Sequence, residues 1–457
     1  MAKHTFDYDL IVIGSGAGGS AAATIAARAG KRVAIIEEGA IGGESPNWSD
    51  IPTNALLHTA RIYDEGRHAG KFGLRTSTLG YNYPSIRNWK DTVVKRTGAA
   101  NNRTFYENHG ISIYTGKAHF LTPHEITVSR RHLSAAHFLV ATGSSWVAPA
   151  IQGLPDVPYF TPRTILETMR PPKSLFIIGG GQYGVEIAQL MATFGTKVYI
   201  AEQAARILPH QDPEVGELLE RLLTEQKGAT ILTHSRVVSV EKEGLGKRIT
   251  VSKGGVEKHI KADEILVAAG RLPNVDLGLD NATITYTPKG IEVNEYMQTN
   301  VKHIFAAGDV LGRGSHTHSA LLESRVAVHN MFERTKGAID YTATPSVIFS
   351  YPEIAHVGLS EDDCRRRDLS INKAMAPLNI IARSNTSDFH DGFVKLITDK
   401  KGVILGGTIV APHAAELIHE IGLAVKHHLT ASQLADTPHA FLSWSEAVRV
   451  AAQKLVP

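Results

Sequence analysis

Gly14, Gly16 and Gly19 recur at the same spacing as Gly179, Gly181 and Gly184, and Glu37 and Glu202 follow at matching positions. A G-x-G-x-x-G run between an apolar strand and a helix is suited to hold a pyrophosphate. Its first glycine makes the tight turn, the second lets backbone approach the phosphates, and the third lets helix and strand pack closely. The helix N-terminus then offers unpaired N–H groups and a partial positive charge. A carboxylate ending the next strand accepts hydrogen bonds from the adenosine ribose. Here the whole unit is present twice, as residues 9–37 and 174–202, with eleven identities and no gap. Gly30 and Gly195 stand where each helix must stop. One such fingerprint is weak evidence. Two in-register copies, each with its strand, helix and acid, imply two bound dinucleotides and electron transfer between them.

The elements that position these residues belong to a chain of 457 residues, room for about three domains. With 43% hydrophobic and 20% charged residues it has an ordinary globular composition. A net charge of +3 is too small to imply a nucleic acid or an acidic membrane surface as partner. No apolar run approaches the ~18 residues of a membrane span, and Leu10 already lies in a core strand with no cleavage site before it. Cys364 is the only cysteine, so no intramolecular disulfide forms, which fits a cytoplasmic location. The 22 histidines invite a metal reading, with His413, Glu416, His419 and Glu420 able to share a helical face and the runs His427–His428 and His316-Thr-His318 adding to it. No cysteine joins them and no spacing is a zinc pattern, so no metal site is expected.

After Glu37 the chain runs through Gly42, Gly43, Ser45 and Asp50 to Pro52, which reads as the first turn of a helix. A polar helical stretch to about Glu107 follows, then short strands leading to Phe138-Leu-Val-Ala-Thr-Gly-Ser144. Pro149 to Pro158 and Pro171-Pro172 mark a boundary near residue 150. The run from Glu264 to Asn274 echoes the earlier Ala-Thr-Gly strand, and a third apolar strand ends at Gly308-Asp309. From about Tyr341 alternating strands followed by two helices suggest a separate α+β domain.

Taken together, these landmarks resemble the pyridine nucleotide–disulfide oxidoreductases, the family of dihydrolipoamide dehydrogenase, glutathione reductase and mercuric reductase. The resemblance covers essentially the whole chain and includes Ile51-Pro52, Ala141-Thr-Gly-Ser144, Ala269-Gly-Arg-Leu-Pro-Asn274 and Val347 to Leu359. It implies an α/β fold with two Rossmann-like domains, for FAD and NAD(P), and a C-terminal α+β dimerisation domain. FAD would take residues 1–149 and 274–340, NAD residues 150–273, and a two-fold homodimer would form through 341–457. For FAD the implied positions are Gly14, Ser15, Gly16, Gly18, Gly19, Glu37 and Glu38, then Gly43, Ser45 and Asn54. Further along they are Ala118, Thr142, Gly143 and Ser144, then Gly308, Asp309, Ser319 and Ala320. Asp309 would bond the ribityl chain, and a helix opening near Ser319 would aim its positive end at the flavin pyrimidine. For NAD they are Gly179, Gly181, Tyr183, Gly184, Glu186, Glu202, Gly270 and Arg271.

At the family's reactive positions this chain departs from the pattern. The two redox cysteines are replaced by Ser45 and Asp50, and the lysine that sits by the flavin is Asn54. Its glutamate partner remains as Glu186, without that cation. The C-terminal proton-shuttling histidine is Phe441, while its orienting glutamate persists as Glu446; His439 lies two residues earlier and could be recruited. Neither serine nor aspartate can cycle as a disulfide, so disulfide reduction by the family mechanism is excluded. Soluble transhydrogenases and some quinone reductases of the family also lack the complete disulfide and the histidine.

Glu202 would repel a 2′-phosphate, so NADH is expected over NADPH, with Arg206 in the pattern that NADH users show. Read blandly, Glu202 is a solvated strand end; its fixed offset from the glycines favours the ribose. Tyr183 stacks by the flavin or nicotinamide, or only packs. The expected reaction is hydride transfer from nicotinamide C4 to flavin N5 and on to an unidentified small-molecule acceptor, with Ser45, Asp50 and Asn54 lining the acceptor face. An Asp50 carboxylate there disfavours added negative charge on the flavin. Two alternatives stay open: a transhydrogenase, and an FAD-binding dimer whose catalysis has lapsed.

Overall fold

The computed structural model describes residues 6–314 and 316–456, and these form two compact units. Unit 1 comprises residues 1–55, 87–147 and 270–340; unit 2 comprises 56–86, 148–269 and 341–457.

Unit 1 is built on a parallel sheet. Its strands lie in the order Ser112–Thr115, Val33–Glu37, Tyr8–Ile13, Arg131–Val140, with Ile304–Ala306 against the far side of the last. The strands read as apolar runs because both faces are covered; Leu10, Ile11, Val12, Ala34 and Ile35 are fully buried. Strand order reverses beside Tyr8–Ile13, which opens a crevice at the carboxyl ends of the central strands. Helix Ala17–Arg28 follows the first strand, and its buried residues Gly18, Ala22 and Ala26 fall four apart on one face. Side chains this small let the helix lie close on the sheet and on helix Thr317–Phe332.

Unit 2 repeats the plan. Its parallel sheet has the order Thr230–Leu232, Lys197–Ala201, Ser174–Ile178, Glu264–Val267, again with the reversal beside the strand before the glycines. A three-stranded antiparallel sheet, residues 236–262, intervenes before Glu264. The C-terminal part is a five-stranded antiparallel sheet, on whose apolar side helices Ala414–Lys426 and Glu446–Gln453 pack. Two short helices, Glu361–Arg366 and Ala382–Ser387, interrupt its strands, and Ala431–Asp436 brings the helices after the last strand to three where the sequence suggested two. The polar helical stretch expected up to Glu107 is in fact several pieces: Asp50–His68, Ala69–Phe72, Tyr83–Thr97 and Arg103–Asn108. Among the described residues, no helix is long and apolar enough to cross a membrane, and no group of three His, Cys, Asp or Glu is disposed to hold a metal.

In unit 1 the rings of His124 and His303 stack 3.7 Å apart, with Phe6 on the outer face of His124. His137 is half-buried, and its Nδ1 is enclosed without a hydrogen-bond partner. Burial pushes the pKa of His137 and of His303 below the ordinary imidazole value. The folded chain therefore holds these rings neutral at a pH where the unfolded chain has begun to protonate them, near 6.5. The unfolded state binds more protons below that point, so stability falls as pH falls. Melting temperature is expected to drop between about pH 7.5 and about pH 5.5, less so in His137→Leu. A flat profile would show that the rings protonate in the folded protein without cost.

Candidate active site

The two fingerprints fold alike. Gly14 has φ +101° and Gly179 has φ +108°. A Cβ on Gly14 would lie 2.3 Å from the Ala141 carbonyl oxygen, and one on Gly179 2.7 Å from that of Ala268. Those two carbonyls sit at the start of the Ala-Thr-Gly and Ala-Ala-Gly runs, which explains the echo between them. A Cβ on Gly19 would meet Gly14 O at 1.9 Å, and one on Gly184 would meet Gly179 O at 2.1 Å. The middle glycines differ. A Cβ on Gly16 would find only Gly43 Cα, at 4.0 Å, and one on Gly181 nothing within 4 Å. The protein itself requires the outer glycines; the middle ones keep open a space beside the helix N-terminus. Such a cradle fits a pyrophosphate in both places.

The strand-end acids also match. Glu37 accepts from Ser15 N–H (2.8 Å) and Oγ–H (2.6 Å) on one oxygen and from Gly39 N–H (2.7 Å) on the other. Glu202 accepts from Gly180 N–H and Ala204 N–H, both 2.8 Å. Each carboxylate is thus aimed by its own loop and keeps acceptor capacity for a ribose hydroxyl. Glu38 is exposed beside Glu37, and Ala118 is buried at the start of its strand. The Arg206 guanidinium donates to Gln211 O at 3.3 Å.

Elsewhere in unit 1, Asp309 accepts from Ser144 Oγ–H at 2.7 Å, and Arg271 stands 3.7 Å from it, bonds Ser144 O at 2.9 Å and lies over the Trp146 ring. Arg271, assigned by resemblance to the nicotinamide nucleotide, thus has these partners beside Asp309. Thr142 and Gly143 are tied to Asn274. Gly308 N–H donates to buried Glu323 at 2.6 Å. The following helix begins at Thr317, two residues earlier than expected, with Ser319 and Ala320 buried in its first turn. Gly18 faces this helix: its Cβ would meet Ser324 Oγ at 3.0 Å. Gly270 has φ +152° and open space around it.

The positions of the missing disulfide are joined by a hydrogen bond. Ser45 Oγ–H donates to Asp50 Oδ2 at 2.7 Å. Thr317 Oγ–H donates to the same oxygen at 2.6 Å, and Ser49 Oγ–H to Oδ1 at 3.2 Å. Asn54 turns back to Asp50 O. Three hydroxyls now answer the Asp50 carboxylate, and Thr317 pins the helix that starts there to this run. No sequence signal pointed to Thr317, which lies 267 residues away. His316 caps the same helix and stacks on His318 at 5.3 Å. Burial holds its pKa low and His318 adds to this, while Asp50 and Asp309 pull the other way.

In unit 2, Glu186 meets the backbone of the 347–351 segment. Its Oε1 accepts from Phe349 N–H at 2.8 Å and from Gln182 at 3.4 Å. Gln182 also donates to Val347 O, and Gln189 exchanges two bonds of 2.6 Å with Tyr351 backbone. Residues 182, 186 and 189 share a helix face, and 347, 349 and 351 are alternate residues of an extended segment, so side chains on one pitch meet backbone groups on the other. Tyr183 is half-buried in the first turn of that helix. Glu446 Oε2 accepts from Leu442 N–H at 3.2 Å, and Phe441 is 75% exposed. Both ring nitrogens of His439 already have partners, Thr437 O at 2.7 Å and Glu420 at 2.5 Å, which counts against its recruitment. Cys364 is buried, and burial raises its thiol pKa.

Fold and site describe a two-nucleotide framework in which Ser45 and Asp50 are hydrogen-bonded to each other. The sequence profile described as pyridine nucleotide-disulphide oxidoreductase matches residues 8–324, and that of its dimerisation domain matches 344–452. Mercuric reductase of Staphylococcus aureus is 32% identical over 449 residues, 98% of this chain and 82% of that protein. Dihydrolipoyl dehydrogenase of Geobacillus stearothermophilus is 33% identical over 466 residues, 99% and 97%. Among solved structures, LpdA of Mycobacterium tuberculosis superimposes with a TM-score of 0.88 at 26% identity, covering 98% of this chain and 100% of that one. A copper complex of the HOCl-induced flavoprotein disulfide reductase RclA of Escherichia coli gives 0.87 at 26%, with 98% and 100% covered. The chain belongs to the pyridine nucleotide-disulphide oxidoreductase family, whose members bind FAD and NAD(P).

Proposed function

We propose that the protein is an FAD-dependent NADH oxidoreductase that delivers electrons to a small-molecule acceptor and not to disulfides. One observation carries this reading: the two redox positions hold Ser45 and Asp50, hydrogen-bonded at 2.7 Å, inside an otherwise intact two-nucleotide framework. FAD, when bound, supplies two-electron hydride chemistry, and the chain's own part is position and charge. Residues 1–149 and 274–340 would hold it, 150–273 would hold NADH, and 341–457 would pair two copies, an arrangement supported by exposed Phe441 and Leu423.

In unit 1 the cradle at Gly16 and the first turn of helix Ala17–Arg28 meet the pyrophosphate, and Glu37 the ribose. Asp309, aimed by Ser144, reaches the ribityl chain, and the positive end of helix Thr317–Phe332 faces the pole where charge collects on reduction. In unit 2 Gly181 and Glu202 repeat the first two roles for NADH, leaving Tyr183 and Glu186 toward the nicotinamide. Ser45, Asp50 and Asn54 belong to the acceptor side. In an anaerobic stopped-flow experiment NADH should bleach the flavin and a quinone should restore it. A flavin that NADH leaves oxidised would end this reading and favour a structural or sensing role for FAD.

NADH should reduce the flavin at least about tenfold more efficiently than NADPH, because Glu202 repels a 2′-phosphate. The Arg206 guanidinium is engaged with Gln211 O. Glu202→Ala should narrow the gap mainly by weakening NADH. The assay is kcat/KM for both nucleotides in both proteins; NADPH as the better reductant of the wild type would revive the transhydrogenase alternative.

A further inference from the structure

The proposed reaction leaves one proton unassigned. Hydride from NADH brings two electrons and one hydrogen, whereas a quinone-type acceptor leaves with two electrons and two hydrogens. The second proton must come from solvent through the protein. Phe441 cannot carry it, and both ring nitrogens of His439 are engaged.

We infer that His316 holds this proton, taking it from solvent when the site gains two electrons and releasing it to the acceptor as they leave. The inference rests on the proposed function and adds to it a residue outside the family's reactive positions named above.

Position is the first argument. His316 is the N-cap of helix Thr317–Phe332, the end that meets the added charge in the proposed reading. Its neighbour Thr317 bonds Asp50, so the cap is fixed to the Ser45–Asp50 run on the acceptor side. The second argument is charge. The titratable groups facing His316 are Asp50 from helix Asp50–His68, Asp309 from the turn after the third apolar strand, and His318 from its own helix. Burial, His318 and the positive end of the helix oppose an imidazolium, and burial dominates, so the resting ring is neutral. Asp50 and Asp309 favour the cation but do not suffice alone. Two electrons arriving beside the helix end add the missing negative charge, and the unprotonated ring nitrogen then takes a proton. The resulting cation also offsets the repulsion between Asp50 and that charge. When the electrons depart as hydride, the charge that held the proton is gone, and the proton follows to the acceptor oxygen. Atoms and electrons balance: hydride plus proton yields the hydroquinone, and His316 returns to neutral.

The test is an electrode titration of the FAD-loaded protein, which needs neither NADH nor turnover. Proton uptake coupled to reduction appears as the slope of midpoint potential against pH. The wild type should take up about two protons per two electrons near neutral pH, and His316→Gln about one, so its slope should be roughly half as steep. Equal slopes in the two proteins overturn the inference. If the variant misfolds, the wild type alone decides, since a one-proton slope across the neutral range overturns it too. Failure of NADH to reduce the flavin would strike the proposed function and leave the slope readable; a protein that holds no FAD overturns both.

Discussion

Gly16→Val should give a folded but colourless protein. The native backbone at this position, φ −64° and ψ −172°, is extended and open to valine. The nearest atom to its Cβ would be Gly43 Cα at 4.0 Å, so the fold loses almost nothing. What the side chain fills is the space through which backbone N–H groups reach the pyrophosphate. Loss of that approach should cost at least about 3 kcal/mol of binding, more than a hundredfold in affinity. Gly14→Val is the contrast: it demands φ +101° of a β-branched residue and a 2.3 Å overlap with Ala141 O, and should fail to fold. Gly181→Val is the matched experiment in unit 2, yellow but no longer reduced by NADH. Flavin released on denaturation, with melting of the apo-protein, checks the first two. If Gly16→Val keeps wild-type flavin content, the pyrophosphate does not lie where the cradle is.

This contrast between outer and middle glycines also shows what a sequence can reveal. The duplicated strand-turn-helix units were legible because every residue they need lies within one short stretch, and the turn dictates its own residue types. The Ala-Thr-Gly echo was visible as a pattern, but its cause was not: Ala141 and Ala268 supply the carbonyls that forbid a side chain at Gly14 and Gly179. Contacts across long sequence separations left no trace. Nothing local marks Thr317 as the hydroxyl that answers Asp50, or Gln182, Glu186 and Gln189 as a row that grips the 347–351 backbone. Glu186 therefore read as an acid without a partner, although Phe349 N–H meets it. Helix ends were off where the cap carries no side-chain signal, as at His316, whose side chain makes no capping bond. The polar helical stretch up to about Glu107 breaks after His68, where the chain turns through left-handed Gly73.

Disulfides should be non-substrates, at least about 10³-fold poorer than a quinone in kcat/KM with NADH. Reduction of a disulfide by this fold passes through a mixed disulfide, which requires an attacking thiolate on the protein. Ser45 is a hydroxyl already donated to Asp50, and a carboxylate forms no stable bond to sulfur. Cys364, the only thiol, is buried in helix Glu361–Arg366, where burial raises its pKa and so keeps it a thiol at neutral pH. Direct hydride transfer to an S–S bond has no covalent step to divide the barrier. Paired steady-state assays with lipoamide, glutathione disulfide and a quinone settle the matter, with Cys364→Ser as the control for adventitious thiol chemistry. Disulfide turnover that survives Cys364→Ser would mean that the Ser45–Asp50 pair supports a route without sulfur on the protein, and the reading of this site would have to be abandoned.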